Sequence, residues 1–171
     1  PTHPAFQHAW AGLLNLADWI GSDAERFFPF SRDPNSDRMP FARSAAACAI
    51  EQLGLRTAPF RIALKQPADY HRLLDGAVPR PAQRCIASME LPPGGTLTVL
   101  EAPTGSGKTE AALLLFLRLF QQGRVDGLYF ALPLRAAAMQ IYQRVCRAVN
   151  GVFPPDLRPP VILAVPGYRR V

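Results

Sequence analysis

Apolar residues along the chain follow two different periods, and the change falls at Pro92-Pro93-Gly94-Gly95, a run that favours turns. Before it the spacing is helical. Phe6, Ala9, Trp10, Leu13, Leu14, Ala17 and Ile20 predict a helix over about 5–20 with one wide buried face, stopped by Gly21. A second helix is expected from about Pro40 to Leu53, with Pro40 in its first turn and Gly54 at its end. Leu55 to Val78 reads as connector holding a short helix at Ala68 to Leu74; another short helix starts near Pro81 and carries Gln83, Cys85, Ile86 and Met89. Beyond Gly95 strands and helices alternate. Thr96–Glu101, Leu128–Leu132 and Val161–Val165 read as strands, with helices over about 107–121 and 135–149 between them. Alternation at this spacing predicts an α/β fold with a parallel sheet and right-handed crossovers, preceded by a helical N-terminal part.

The first strand runs into Ala102-Pro-Thr-Gly-Ser-Gly-Lys-Thr109, a phosphate-binding loop in which alanine takes the place of the first glycine. Gly105 and Gly107 allow φ > 0 and bare backbone N–H groups where a side chain would block a phosphate. The following helix adds unpaired N–H groups and the positive end of its dipole. In this pattern Thr104, Gly105, Ser106 and Gly107 line the phosphates, Lys108 reaches the β- and γ-phosphates, and the Thr109 hydroxyl takes one place on Mg²⁺. Of the nineteen Lys and Arg residues only Lys65 and Lys108 are lysines, so a lysine at this position is informative.

Composition adds bounds. Hydrophobic content of 49% is ample for a core, and the net charge of +6, carried mostly by arginine, suits a phosphate-bearing partner. The three cysteines lie far apart without C-x-x-C spacing, which argues against a disulfide framework or zinc site and favours the cytoplasm. No apolar run is long enough to cross a bilayer, so no membrane partner is expected. The chain opens without methionine and reads as a piece of something longer.

Three further positions are candidates. Gln83 lies upstream of the loop on a proline-started helix, and its amide can pair with adenine N6 and N7 together. Pro133, Arg135 and Ala136 follow the second strand at its carboxyl end, where backbone N–H groups and a guanidinium can hold a strand's phosphates. Asp18, beside Trp19, is a lone helical acid; His3, His8 and His71 are too few to assemble a hydrolytic metal site with it.

Taken together, these blocks resemble the CRISPR-associated nuclease-helicases of type I systems. Ala11 to Ser22, with its Ala-Asp-Trp centre, resembles the last motif of that family's HD nuclease domain. Arg80 to Gln83 resembles its adenine-reading glutamine motif, Glu101 to Ala111 its helicase motif I, and Leu132 to Ala136 its motif Ia. The resemblance implies that 1–54 are the helical end of an HD-type nuclease domain, 55–95 a linker with the glutamine motif, and 96–171 the start of a first, incomplete RecA-like domain. It implies ATP and Mg²⁺ as cofactors, with a divalent transition metal at the HD site, of which Asp18 is one ligand. The implied partners are single-stranded DNA, contacted by Pro133, Arg135 and Ala136, and the type I surveillance complex (Cascade). The implied activity is ATP-driven translocation and cleavage of the displaced strand. Departures are clear: no Asp-Glu-x-His box follows the third strand, which runs into Pro166-Gly167 where the family often has His-Gly. Two other readings stay open: a superfamily-two helicase without a nuclease, and a small-molecule kinase built on the same loop.

Overall fold

A computed structural model of the chain describes residues 3–30, 37–64, 70–74, 76–166 and 168–170. They form two compact units, divided between Arg56 and Thr57.

The first unit holds α1 (Pro4–Gly21) and α2 (Arg38–Gln52). Pro4 opens α1 at a position where its missing N–H costs nothing. Asp37 caps α2, its carboxylate accepting from Met39 N at 3.0 Å. The wide buried face expected of α1 is not observed: no residue of α1 is buried, and Trp19 is 76% exposed. Periodicity shows which side of a helix is apolar; whether that side is covered depends on what packs against it, and none of the described residues of the unit covers it.

The second unit is built around α6 (Lys108–Gln121), preceded by the short helices α3 (Ala58–Ala63), α4 (Tyr70–Leu73) and α5 (Pro81–Ser88) and followed by α7 (Arg135–Val152). Ala111, Leu113, Leu114, Leu117 and Phe120 of α6 are buried with Leu64, Ile86, Val152 and Phe153. Each large side chain so covered contributes about 1.5–3 kcal/mol. The Asn150-Gly151 stop expected for α7 is overridden, because one more turn buries Val152, followed by Phe153, which outweighs the ~1 kcal/mol cost of a helical glycine.

The expected parallel sheet is absent from the described residues, and this overturns the α/β assignment. Thr96–Glu101 and Leu128–Leu132 belong to no strand; Leu97 is 93% and Tyr129 89% exposed. The third expected strand shortens to β1 (Leu163–Val165), which pairs antiparallel with β2 (Tyr168–Arg170) in the register Leu163↔Arg170. A β-rich, alternating segment becomes a strand only when a neighbour offers its N–H and C=O groups, and neither of the first two segments has one. The unit is therefore helical, with one small hairpin.

Arginines tie the helices together. Arg118 of α6 donates to Ile86 O at 2.7 Å and Met89 O at 2.8 Å, satisfying carbonyls at the end of α5. Arg61 of α3 donates to Phe120 O at 2.7 Å and Val125 O at 3.2 Å, pairs with Asp126, and lies over the Phe120 ring. Arg124 donates to Pro92 O and Gly94 O, both at 2.6 Å, so the Pro-Pro-Gly-Gly turn is held by a guanidinium. Much of the basic excess is thus structural, each cation engaged by carbonyl oxygens of its own chain.

Candidate functional site

Residues 102–107 approach α6 as a turn, with Ser106 N donating to Pro103 O at 3.2 Å. Gly105 and Gly107 have φ of +78° and +84°, the left-handed region that the sequence pattern requires of them. Gly107 is also the N-cap of α6, and a Cβ there would fall 2.1 Å from Gln83 Nε2. Only glycine fits that position on both grounds.

Gln83 is 3% exposed and ties the loop to α5. Its Oε1 accepts from Arg80 N at 2.8 Å, the half of a capping box that the third helical residue supplies, and its Nε2 donates to Gly107 O at 3.2 Å. An amide oxygen has two lone pairs and an amide nitrogen two hydrogens, so one acceptor and one donor site remain beyond these bonds. Lys108 Nζ donates to Ala102 O at 2.6 Å and Pro103 O at 2.9 Å, which folds the amine onto its own loop and leaves one of its three hydrogens. Ser106 Oγ is buried without a hydrogen-bond partner among the described residues. A buried hydroxyl in that condition is costly, and an oxygen-rich ligand in the loop would satisfy it.

Gln83, Thr104, Gly105, Gly107, Lys108 and Thr109 line a cleft of about 390 Å³, and Ser106 lies behind this lining in the same turn. Arg80, Glu110 and Arg144 line it too. Glu110 pairs with Arg144, so Arg80 and Lys108 are the lining cations left to face a polyphosphate. Arg80 and Glu110 fall inside blocks named from the sequence, without a role of their own there, and Arg144 was not singled out. Arg144 flanks the apolar stripe of α7 next to Val145, and that border position was the one signal that could have found it.

The remaining candidates lie apart from the cleft lining. Pro133, Arg135 and Ala136 are exposed where α7 begins, with Arg135 the first residue of the helix. Asp18 is exposed on α1, in the first unit. No group of three or more His, Cys, Asp or Glu able to hold a metal occurs among the described residues. Asp18 and His8, ten positions apart on one helix, are separated by about 15 Å of rise. No helix among the described residues is long and apolar enough to cross a membrane.

Residues 80–158, which hold the loop, Gln83 and α6, match the DEAD/DEAH box helicase family. Curated relatives narrow it. The chain is 37% identical over 152 residues to the CRISPR-associated endonuclease/helicase Cas3 of Escherichia coli (strain K12), covering 84% of this chain and 16% of that protein. It is 36% identical over 138 residues to the Thermus thermophilus Cas3, covering 78% and 14%. To the CRISPR-associated nuclease/helicase Cas3 of Streptococcus thermophilus it is 30% identical over 142 residues, covering 79% and 14%. The chain is a homologue of these CRISPR-associated nuclease-helicases and carries a DEAD/DEAH box helicase segment. It spans only 14–16% of the length of these relatives. No solved structure matches it.

Proposed function

We propose that the chain supplies the nucleotide-binding part of an ATP-dependent translocase that moves on single-stranded DNA, within a CRISPR defence nuclease. The observation that carries this reading is the phosphate loop itself: two left-handed glycines, a lysine folded over the loop carbonyls, and a buried Ser106 hydroxyl with no partner among the described residues. The residues fit a magnesium nucleotide. The N–H groups of Thr104, Gly105, Gly107 and Lys108 and of the first turn of α6 would bind phosphate oxygens, and Lys108 would exchange its carbonyl partners for the terminal phosphates. Thr109 offers its hydroxyl to the ion, whose contribution is to neutralise charge between the terminal phosphates. Gln83 turns its remaining donor and acceptor to the adenine, which selects ATP over GTP. Arg135, with Pro133 and Ala136 beside it, holds phosphates of the strand at the N-terminus of α7.

Asp18 enters this reading as one ligand of a nuclease metal, in a helical nuclease module of which 1–54 are part. The described residues do not make a metal site, so no chemical step is assigned to it. Supporting the pairing of nuclease and helicase are the relatives, whose names join the two activities and whose matches cover 84% and 78% of this chain. The type I surveillance complex is the proposed partner.

The direct test is nucleotide binding by the full chain. Wild type should bind ATP and ADP, and Lys108→Ala should lose at least about tenfold in affinity, since a charge-assisted contact of ~1.5–3 kcal/mol is removed. Residues 1–171 alone should show no ATP turnover, because the groups that stabilise the transition-state charge are not among them. In the full-length protein Asp18→Ala should abolish DNA cleavage while ATP hydrolysis survives. Undiminished nicking by that variant would remove Asp18 from the metal site.

A further inference from the structure

Arg144 reaches from α7 into the cleft and touches two consecutive residues in the first turn of α6. One guanidinium nitrogen donates to Thr109 Oγ1 at 3.4 Å, and another donates to Glu110 Oε1 at 2.5 Å. The Glu110 side chain is 17% exposed, so the ion pair is partly shielded from water. All three residues line the cleft that holds Lys108 and Gln83. We propose that Arg144 is a positioning residue that holds the Thr109 hydroxyl in the orientation from which it takes the magnesium ion of a bound nucleotide. This deepens the nucleotide-site reading above and rests on it.

The chemistry of the hydroxyl makes the case. Thr109 is the second residue of α6, so no preceding helical turn offers its oxygen a carbonyl, and its χ1 is set by whatever partner holds that oxygen. The oxygen has one hydrogen and two lone pairs. A guanidinium donating to one lone pair from the cleft side favours the rotamer that keeps the oxygen in the cleft, and it leaves the second lone pair for the ion. A cation beside a metal site normally weakens metal binding. Here Glu110 offsets that, since its carboxylate pairs with the same guanidinium and leaves the Arg144–Glu110 unit near neutral. Arginine suits the task better than lysine because its planar fork spans two acceptors at once. Glu110 is the anchor of the fork and Thr109 its object.

Two rival roles for Arg144 predict different behaviour. A guanidinium that grips phosphate directly helps nucleotide binding with or without metal. One that merely staples α7 to α6 affects stability alone. Positioning of Thr109 affects the metal-dependent part of binding.

The experiment is titration of a fluorescent ADP analogue against the full chain, first in EDTA and then with increasing Mg²⁺. Wild type, Arg144→Ala, Arg144→Lys, Thr109→Ala and Lys108→Ala are compared. Arg144→Ala should keep its EDTA affinity within about twofold and raise the Mg²⁺ concentration for half-maximal tightening about tenfold, the scale on which second-shell partners of a metal act. Arg144→Lys should recover less than half of that shift. Adding Arg144→Ala to Thr109→Ala should change nothing further, because both act through one oxygen. Glu110→Gln, which loosens the fork without opening a cavity, should shift the Mg²⁺ requirement in the same direction by less, and it decides the matter if Arg144→Ala fails to fold. Equal losses with and without Mg²⁺, or an unchanged Mg²⁺ requirement, overturn the proposal. Lys108→Ala separates the two layers: if it binds nucleotide as wild type does, the nucleotide-site reading fails and this inference with it. If Lys108→Ala loses binding but Arg144→Ala and Glu110→Gln leave the Mg²⁺ requirement untouched, only the positioning role fails.

Discussion

Helices α1 and α6 carry the same kind of sequence and meet opposite fates. Both are rich in leucine and aromatic residues at helical spacing. Around α6, the short helix α5, the end of α7 and Leu64 close over the apolar side, and Leu114 is 1% exposed. Around α1 none of the described residues of its unit does so, and Leu13 and Leu14 stay more than half exposed. The ends differ as well. The N-terminus of α6 is held through Gly107 by Gln83, and the carbonyl of Phe120 near its C-terminus is met by Arg61. Amphipathic patterning therefore records a demand for cover, and only the packing partners decide whether the demand is met.

The sharpest way to break this contrast is a matched pair of truncations. Leu114→Ala should destabilise the second unit by about 2–5 kcal/mol, as a cavity in a closed core does. Leu13→Ala should change stability by less than about 0.5 kcal/mol. Chemical denaturation of each variant measures both. Equal effects would mean that α1 is covered in solution.

A smaller effect is expected where α6 begins. Gly107→Ala imposes a left-handed φ on a residue with a Cβ and drives that Cβ into the Gln83 amide. Its cost should be about 1–3 kcal/mol. Combining it with Gln83→Ala should recover only the part due to the clash, because the backbone strain remains. Full recovery would show that the φ of +84° carries no penalty of its own.

The smallest effect lies just past the other end. Asp126 accepts hydrogen bonds from Thr57 at 2.8 Å and from Arg61 at 2.8 Å, and these hold its carboxyl below its ordinary value, the threonine bond contributing most. A depressed carboxyl means that the unfolded chain binds the proton more readily. Its stabilisation is complete above the ordinary carboxylate range and is lost as pH falls through the lower folded value. Asp126→Asn should therefore flatten the dependence of melting temperature on pH below about pH 4 and change little at neutral pH. An acid limb identical to wild type would show that the pair is dissolved in solvent.

How much of this was legible beforehand depends on the range of the interaction concerned. The helices over Lys108–Gln121, Arg38–Gln52 and Pro81–Ser88 were readable within a residue or two because capping, proline and glycine signals act within one turn. The turn before α6 was readable because Gly105 and Gly107 have the left-handed φ that the pattern asks of them. The parallel sheet was read and is not present among the described residues, since ladder bonds join segments far apart in sequence and alternation says nothing about whether the neighbour arrives. Arg144 stayed invisible because its partners lie 34 and 35 positions away, and nothing around it in the sequence marks them. The arginine excess was a similar case. It suggested a phosphate partner, whereas Arg61, Arg118 and Arg124 are occupied by the chain's own carbonyls.

By itself the order of residues determined where α2, α5 and α6 begin and end and that a glycine turn of the phosphate-loop pattern lies between Ala102 and Thr109. Those outcomes follow from φ preferences, side-chain caps and the spacing of apolar groups, all settled within a few residues. Only the tertiary structure decided that Gln83 backs the loop at Gly107, that Arg144 and Glu110 meet beside Thr109, and that the segments before and after α6 stay unpaired. Each of these depends on which distant atoms come within hydrogen-bonding reach, and that is a property of packing.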